Sequence, residues 1–389
     1  MKRILCICLL LALCGCAAKP AAPAPETSPL VTTTAATTPA PTTPEPTAPP
    51  PTTPPDPAQD ILDGMTVEEK VGQLFLARCN GPTAIADIEK YHLGGFVLFA
   101  QDTQDETPDT LRAKLHGYQS AAKIPLLIAV DEEGGTVTRI SRYSAFRSSR
   151  FPSPRDAYAQ GGMEGALKTE EEKSRLLASL GINVNLGPVC DISRNPAAFM
   201  YKRSFGQDPD TTGQFIAETV KIMDSFSVGS CLKHFPGYGE NVDTHVGIAV
   251  DNRSLEALGK VDLVPFRYGI QSGCGAIMVS HVYINAIDSQ LPATLSPAVH
   301  EYLRLEMGFA GVIVTDDLVM QAITDKYGAG EAAVMAVLAG NDLLCSTEYA
   351  KQYQAVLEAV QNGKIPMHVL DAAAKRVIQW KIALGLIEN

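Results

Sequence analysis

Between residues 95 and 345 the chain repeats one pattern: a short apolar run, a polar or charged residue closing it, then a helical stretch. The runs fall at 95–99, 125–130, 182–186, 227–233, 276–280, 311–315 and 342–345. A run that is apolar at consecutive positions cannot keep one face in water, so both faces must be covered, as in a parallel sheet wrapped by helices. Helical patterns lie between the runs, for example at 255–271 and 331–338. Ahead of them, Thr66-Val-Glu-Glu69 is a capping box that opens a helix with Val67, Val71, Leu74 and Phe75 on one side. Seven or eight such repeats predict an α/β fold of the (β/α)₈ barrel type, a single catalytic domain. An open doubly wound dinucleotide fold would need Gly-x-Gly-x-x-Gly after its first strand, and the sequence has none there.

The repeats occupy residues 58–389. Before them, residues 1–15 combine Lys2 and Arg3, an apolar stretch over 4–13 and Gly15-Cys16, the pattern of an export signal. The stretch is too short to span a bilayer. Leu13-Cys14-Gly15-Cys16 resembles a bacterial lipobox, which implies cleavage before Cys16 and lipid on its sulfur; an ordinary signal cut near Ala18 would export the protein equally. Residues 16–57 are almost wholly Pro, Thr and Ala. They cannot bury apolar surface and are expected to form an extended tether holding the domain off the membrane. The expected location is extracytoplasmic, at the bacterial cell membrane through lipidated Cys16. The net charge of −11 argues against nucleic acid or an anionic membrane surface as partner. Cys79, Cys190, Cys231, Cys274 and Cys345 have no metal-type spacing and lie mostly in apolar runs, as buried thiols do.

In a barrel, chemistry gathers at the C-terminal ends of the strands. Here the runs end in Asp131, in Asp191 with Arg203 following, in Lys233-His234, in Ser280-His281 and in Asp316-Asp317. The densest stretch is Cys231–His245, which threads Lys233, His234, Glu240, Asp243 and His245 through a Pro-Gly-x-Gly turn. Lys-His at a strand end followed by Asp-x-His on a loop is a proton-handling arrangement. A ring of carboxylates, Arg, Lys and His with no phosphate loop suits a polyhydroxylated ligand, whose hydroxyls need both donors and acceptors.

These motifs resemble glycoside hydrolase family 3, in its single-domain β-N-acetylhexosaminidase form. The matching segments are 66–75, Asp131-Glu-Glu-Gly-Gly135, Asn185-Leu-Gly-Pro-Val-Cys-Asp191, Arg203-Ser-Phe-Gly206, Lys233-His-Phe-Pro-Gly237, Asp243-Thr-His245, 261–266, 291–296 and Thr315-Asp-Asp-Leu318. The resemblance implies a retaining exo-β-N-acetylglucosaminidase, acting on peptidoglycan fragments as a monomer and without metal or organic cofactor. It implies Asp316 as nucleophile, His245 as acid/base and Asp243 as its orienting partner. Asp131, Arg203, Lys233 and His234 match the family's sugar-binding residues. Two departures stand out: Tyr238 where the family often has His, and Glu240 where it often has Asp. The loop is also one residue shorter before Asp243.

From the residues alone, Asp316 and Asp317 remain alternatives, because the face of Val312 and Val314 that Asp316 continues is not known to line the barrel. Should the Asp-x-His loop lack the proton donor, Glu240 is the next candidate. A β-glucosidase or β-xylosidase of the same family, an N-acetylglucosaminide phosphorylase and a non-enzymatic glycan-binding lipoprotein are the competing functions. A metal hydrolase using His234, His245, His281 and Asp316 fails on ligand spacing and on the cation Lys233 beside His234.

Overall fold

The computed structural model describes residues 56–241, 243 and 247–388. The expectations placed on residues 1–55, on Thr244 and on His245 lie outside them. The first described helix, Pro57–Asp63, is capped by the Asp56 side chain.

Eight parallel strands form a (β/α)₈ barrel: β1 Phe75–Arg78, β2 Gly95–Leu98, β3 Leu127–Val130, β4 Val184–Asn185, β5 Gly229–Phe235, β6 Ala276–Val279, β7 Val312–Thr315 and β8 Leu344–Ser346. Each pairs in parallel with its neighbours in chain order, β1 pairs with β8 (Phe75 beside Leu344), and a parallel bridge between Val314 and Leu343 completes the ring. Seven of the strands overlap the expected apolar runs, β5 and β8 running one or two residues past them; β1 falls in none. Leu74 and Phe75 are not the tail of the preceding helix, which stops at Gln73 with Leu74 as its C-cap. The 255–271 pattern is two helices, Leu255–Lys260 and Leu263–Gln271, with a break at Val261.

Strand parity separates two cores. Leu76, Val97, Ala129, Val184, Cys231, Met278, Val312, Val314 and Cys345 fill the barrel, whereas Ile313 and Ile277 pack outward against the helices. The C-terminal helix Met367–Ala383 contributes Val377 and Trp380 to the interior cluster and plugs the end of the barrel opposite the site. The fit is close: a Cβ on Gly275 would stand 2.0 Å from the Trp380 Nε1. All five described cysteines are free and buried.

The same helix buries Lys381 completely, with Gln73 Oε1 at 2.6 Å as the acceptor of its ammonium. Burial without a carboxylate pushes its pKa down to about 7 from an ordinary 10.5. Because the folded value is the lower one, the unfolded chain holds the extra proton between about pH 7 and 10.5. Stability therefore rises with pH across that window, and the cost is fully present below it. Lys381→Met is expected to raise stability at pH 7 by on the order of 2–4 kcal/mol and to flatten this alkaline rise. Chemical denaturation of the domain at pH 7 and pH 10 reads both effects.

Candidate active site

At the C-terminal ends of the strands opens a cavity of about 770 Å³. Its walls carry Asp131, Arg203, Lys233, His234, Asp243 and Asp316, so every described residue expected at the site meets in one place. Glu133 and Arg139, to which the sequence assigned no role, complete it, and Asp191, noted only as the end of a run, stands behind the wall.

The centre is a buried charge cluster. Lys233 projects from β5 with its Nζ 2.7 Å from Asp131 Oδ1 and 2.6 Å from Glu133 Oε1. Arg203 grips Glu133 with a two-pronged contact, Nε to Oε2 at 2.9 Å and Nη2 to Oε1 at 2.7 Å. Arg139 approaches Asp131 at 3.6 Å. Burial alone would raise the Glu133 carboxyl, but Arg203 and Lys233 outweigh it and hold the group far below the usual carboxylate range. Burial would likewise lower the Lys233 ammonium, and Asp131 with Glu133 overturns that, keeping it above the usual lysine value. Glu133, Lys233 and Arg203 are thus held in their ionised forms, and with Asp131 they fix one another and present fixed donors and acceptors to a sugar.

Glu132, next in sequence, does something else. Its carboxylate turns away from the cations and accepts from the backbone N–H groups of Arg139 (2.8 Å), Ile140 (2.7 Å) and Ser141 (3.3 Å). It folds back the loop that brings Arg139 to the rim.

His234 is held from both sides. Asp191, fully buried after β4, stands 2.7 Å from its Nδ1 and also accepts from the His234 and Tyr238 backbone N–H groups. Arg203 Nη2 lies 3.3 Å from Nε2. Since guanidinium only donates, the ring proton belongs on Nδ1 and Nε2 accepts. Tyr238, the first departure from the family pattern, is buried with its ring centroid 5.5 Å from that of His234 and 5.7 Å from Phe199.

Glu240, the second departure, does not line the cavity. Its carboxylate accepts from Ser193 Oγ (3.0 Å) and from the N–H groups of Arg194 (2.8 Å) and Asn195 (3.3 Å), tying the turn to the loop after β4. It is therefore a poor alternative proton donor. Gly237 in the same turn has φ +117°, and a Cβ there would meet the Asp262 Cβ at 2.5 Å. The turn sits directly on a latch in which Arg253 joins Asp262 (2.6 Å) and Asp251 (2.6 Å). Asp243, beyond the turn, lines the cavity.

Strand parity also bears on the two aspartates after β7. Val312 and Val314 point into the barrel, and Asp316 follows on the same face. Asp317 is committed elsewhere: its carboxylate accepts from Thr347 Oγ1 (2.6 Å), Thr347 N–H (3.3 Å) and Val319 N–H (3.2 Å). Its own N–H donates to Asp316 Oδ1 at 2.8 Å. Burial raises the Asp317 carboxyl, with Thr347 opposing. His281 is likewise engaged, Nδ1 with Thr294 Oγ1 and Nε2 with the Asp317 carbonyl, each at 3.0 Å. Among the described residues no His, Cys, Asp and Glu side chains group as metal ligands.

Residues 66–380 match the model of the glycosyl hydrolase family 3 N-terminal domain. The chain belongs to glycosyl hydrolase family 3. Within family 3 it is similar to beta-hexosaminidase A of Pseudoalteromonas piscicida, 32% identical over 325 residues, or 76% of this chain and 54% of that protein. It is 30% identical over 330 residues to the beta-hexosaminidase LpqI of Mycobacterium tuberculosis, covering 82% of this chain and 83% of the relative. Among solved structures it resembles a family 3 β-N-acetylglucosaminidase from Paenibacillus sp. str. FPU-7, with TM-score 0.78 and 34% identity over 84% of this chain and 64% of that one. It thus spans about half the length of the Pseudoalteromonas protein, and this family 3 domain accounts for the barrel and the cavity.

Proposed function

We propose that the protein is a retaining β-N-acetylglucosaminidase that removes terminal, non-reducing β-linked N-acetylglucosamine, from peptidoglycan fragments in particular. The observation that carries this is the convergence of Asp316 with the Asp131–Lys233–Glu133–Arg203–His234 cluster in one cavity at the catalytic end of a family 3 barrel. The names of its relatives support the hexosaminidase assignment.

In this reading the cluster holds the sugar hydroxyls and Asp316 attacks the anomeric carbon. The bond to the leaving oxygen breaks as His245 gives that oxygen its proton, and a glycosyl ester of Asp316 forms. Water then attacks the same carbon, passes its proton to His245 and frees Asp316. Asp243, on the cavity wall two residues from His245, keeps the imidazole basic and oriented. The choice of Asp316 over Asp317 is supported by its place on the barrel-facing side and by the three hydrogen bonds that occupy Asp317.

Assay on paired aryl β-glycosides tests the substrate: the N-acetylglucosaminide is expected to turn over faster than the glucoside, and the reverse order overturns the assignment. The Pro/Thr/Ala-rich stretch after Cys16 supports a tethered, extracytoplasmic enzyme. Cys16→Ser is then expected to move the protein from the membrane fraction to the medium without altering turnover, as cell fractionation would record.

A further inference from the structure

We propose that Arg253 is a positioning residue: with Asp251 and Asp262 it braces the turn 236–239, sets the path of the chain into Asp243, and so aligns proton transfer in the cavity. The brace joins two elements outside the ring of strands. Asp251 lies on a short strand, Val250–Asp251, that pairs in parallel with Tyr283–Ile284. Asp262 stands at the start of the helix Leu263–Gln271, whose Phe266 meets Phe235 of β5 edge to face, 5.2 Å between centroids. Arg253 holds both. Its Nε and Nη2 grip the Asp251 carboxylate at 3.0 Å and 2.6 Å, and its Nη1 donates to Asp262 Oδ2 at 2.6 Å. Both carboxylates are buried. An aspartate at a helix start ordinarily caps the helix through its side chain. Asp262 makes no such bond and gives its carboxylate to the brace instead.

Both glycines of the Pro-Gly-x-Gly turn rest on this trio. A Cβ at Gly239, where φ is +57°, would stand 2.6 Å from Arg253 Nη2, just as one at Gly237 would meet Asp262. With no side chain between them, any shift of the trio reaches the backbone directly. Asp262 Oδ1 is buried without a hydrogen-bond partner among the described residues. Burial pushes the Asp262 carboxyl up to about 6, Asp191 and Asp251 add to the rise, and Arg253 opposes it. Removing the arginine therefore weakens the charge of Asp262 as well as the link. The two limbs of the turn differ in what else holds them. His234, before it, is secured by β5, Asp191 and Arg203. After it, Asn241 bonds back to the turn through the Tyr238 carbonyl at 2.9 Å, so Asp243 inherits the placement of the turn. Loss of the brace should be felt at Asp243 more than in the sugar-binding cluster.

The inference rests on the retaining-hydrolase reading for its kinetic arm alone. Arg253→Ala is expected to lower kcat/KM by roughly tenfold or more for a β-N-acetylglucosaminyl disaccharide, whose leaving oxygen needs a proton. An aryl glycoside with a leaving group of low pKa should lose far less. Partial unfolding would instead lower both by one factor. Guanidinium chloride at a non-denaturing concentration should restore disaccharide cleavage in Arg253→Ala, because the vacated site reaches solvent, and sodium chloride should not. Arg253→Lys, which keeps the charge without the fork, should fall between. Hydrogen exchange followed by mass spectrometry needs no turnover. Amides over 236–241, Gly237 and Tyr238 among them, should exchange roughly tenfold faster in Arg253→Ala, while those of β1–β3 keep the parent rates. Faster exchange in a protein that cleaves neither substrate would keep the brace and discard the hydrolase reading. Unchanged exchange overturns the proposal, as does an equal loss on the two substrates.

Discussion

Asp316→Ala is expected to lower turnover of every β-N-acetylglucosaminide by on the order of 10⁴-fold or more, at about 1.36 kcal/mol of lost transition-state stabilisation per decade. No substrate escapes, because the covalent path itself is gone. His245→Ala is expected to discriminate. An aryl leaving group of low pKa hardly needs a proton, so formation of the glycosyl ester should suffer little, whereas cleavage of a disaccharide should fall by roughly 10²–10⁴-fold. Release of the ester needs a base to activate water, so the intermediate should accumulate and be visible by intact-protein mass spectrometry. Azide needs no base and should restore aryl turnover in His245→Ala but not in Asp316→Ala. Asp243→Asn should lie between. Parent-like disaccharide hydrolysis by His245→Ala would place the donor elsewhere, and Glu240 is already occupied by the loop after β4.

The second large effect is expected at Glu133. Its carboxylate is the common partner of Lys233 and Arg203; Glu133 and Lys233 are buried, and the Arg203 side chain is only 12% exposed. Glu133→Gln preserves the volume but leaves Lys233 with Asp131 alone and Arg203 without its carboxylate partner, which should cost roughly 3–5 kcal/mol of stability. Asp131→Asn should cost less, because Asp131 is partly exposed and water can compensate. The pH dependence separates the charge effect from a packing effect. The folded-state pKa of Glu133 lies below its unfolded value, so its contribution is present above the unfolded value, ~4.3, and is lost as pH falls toward the folded one. The parent and Glu133→Gln should therefore differ by a constant amount near neutrality and converge in acid. A gap in urea midpoints that stayed constant from pH 7 to pH 3 would mean that the charge of Glu133 does not hold the cluster.

Most strands and the site's main residues could be read from the sequence because both leave local marks. An apolar run with a charged end is visible within six residues, and the Lys233-His234 to Asp243 stretch is continuous. What could not be read depended on partners far away in the chain. β1 is four residues long and starts one residue after a helix C-cap, so Leu74 and Phe75 extend the spacing of Val67 and Val71 and pass for its apolar face. Pairing with β2 on one side and β8 on the other, not any local mark, makes Phe75–Arg78 a strand. Glu132 and Glu133 are identical neighbours with opposite duties, one bonding the loop backbone and one bonding Arg203 and Lys233. Nothing local distinguishes them, since irregular backbone has no parity. Asp191 was visible as the end of a run, but its role needs His234, 43 residues on. Which face of β7 looks inward, and so which of Asp316 and Asp317 continues it, is a property of the closed ring rather than of the motif.

The pairing of β1 with β8 has a further consequence, for the order in which the chain can become a barrel. The strand made first is a neighbour of the strand made last, so one flank of Phe75–Arg78 waits for Leu344–Ser346. Trp380, which closes the far end, arrives later still. A growing or partly threaded chain can pair β1 with β2 and onward to β7, but it remains an open sheet with two unpaired edges, the condition that invites association between chains. β1 offers only four residues to such pairing, and Arg78 puts a charge at its end. Truncation anywhere before residue 344 should therefore yield not a smaller barrel but an aggregating sheet, and the domain becomes self-contained only when nearly all of it is present.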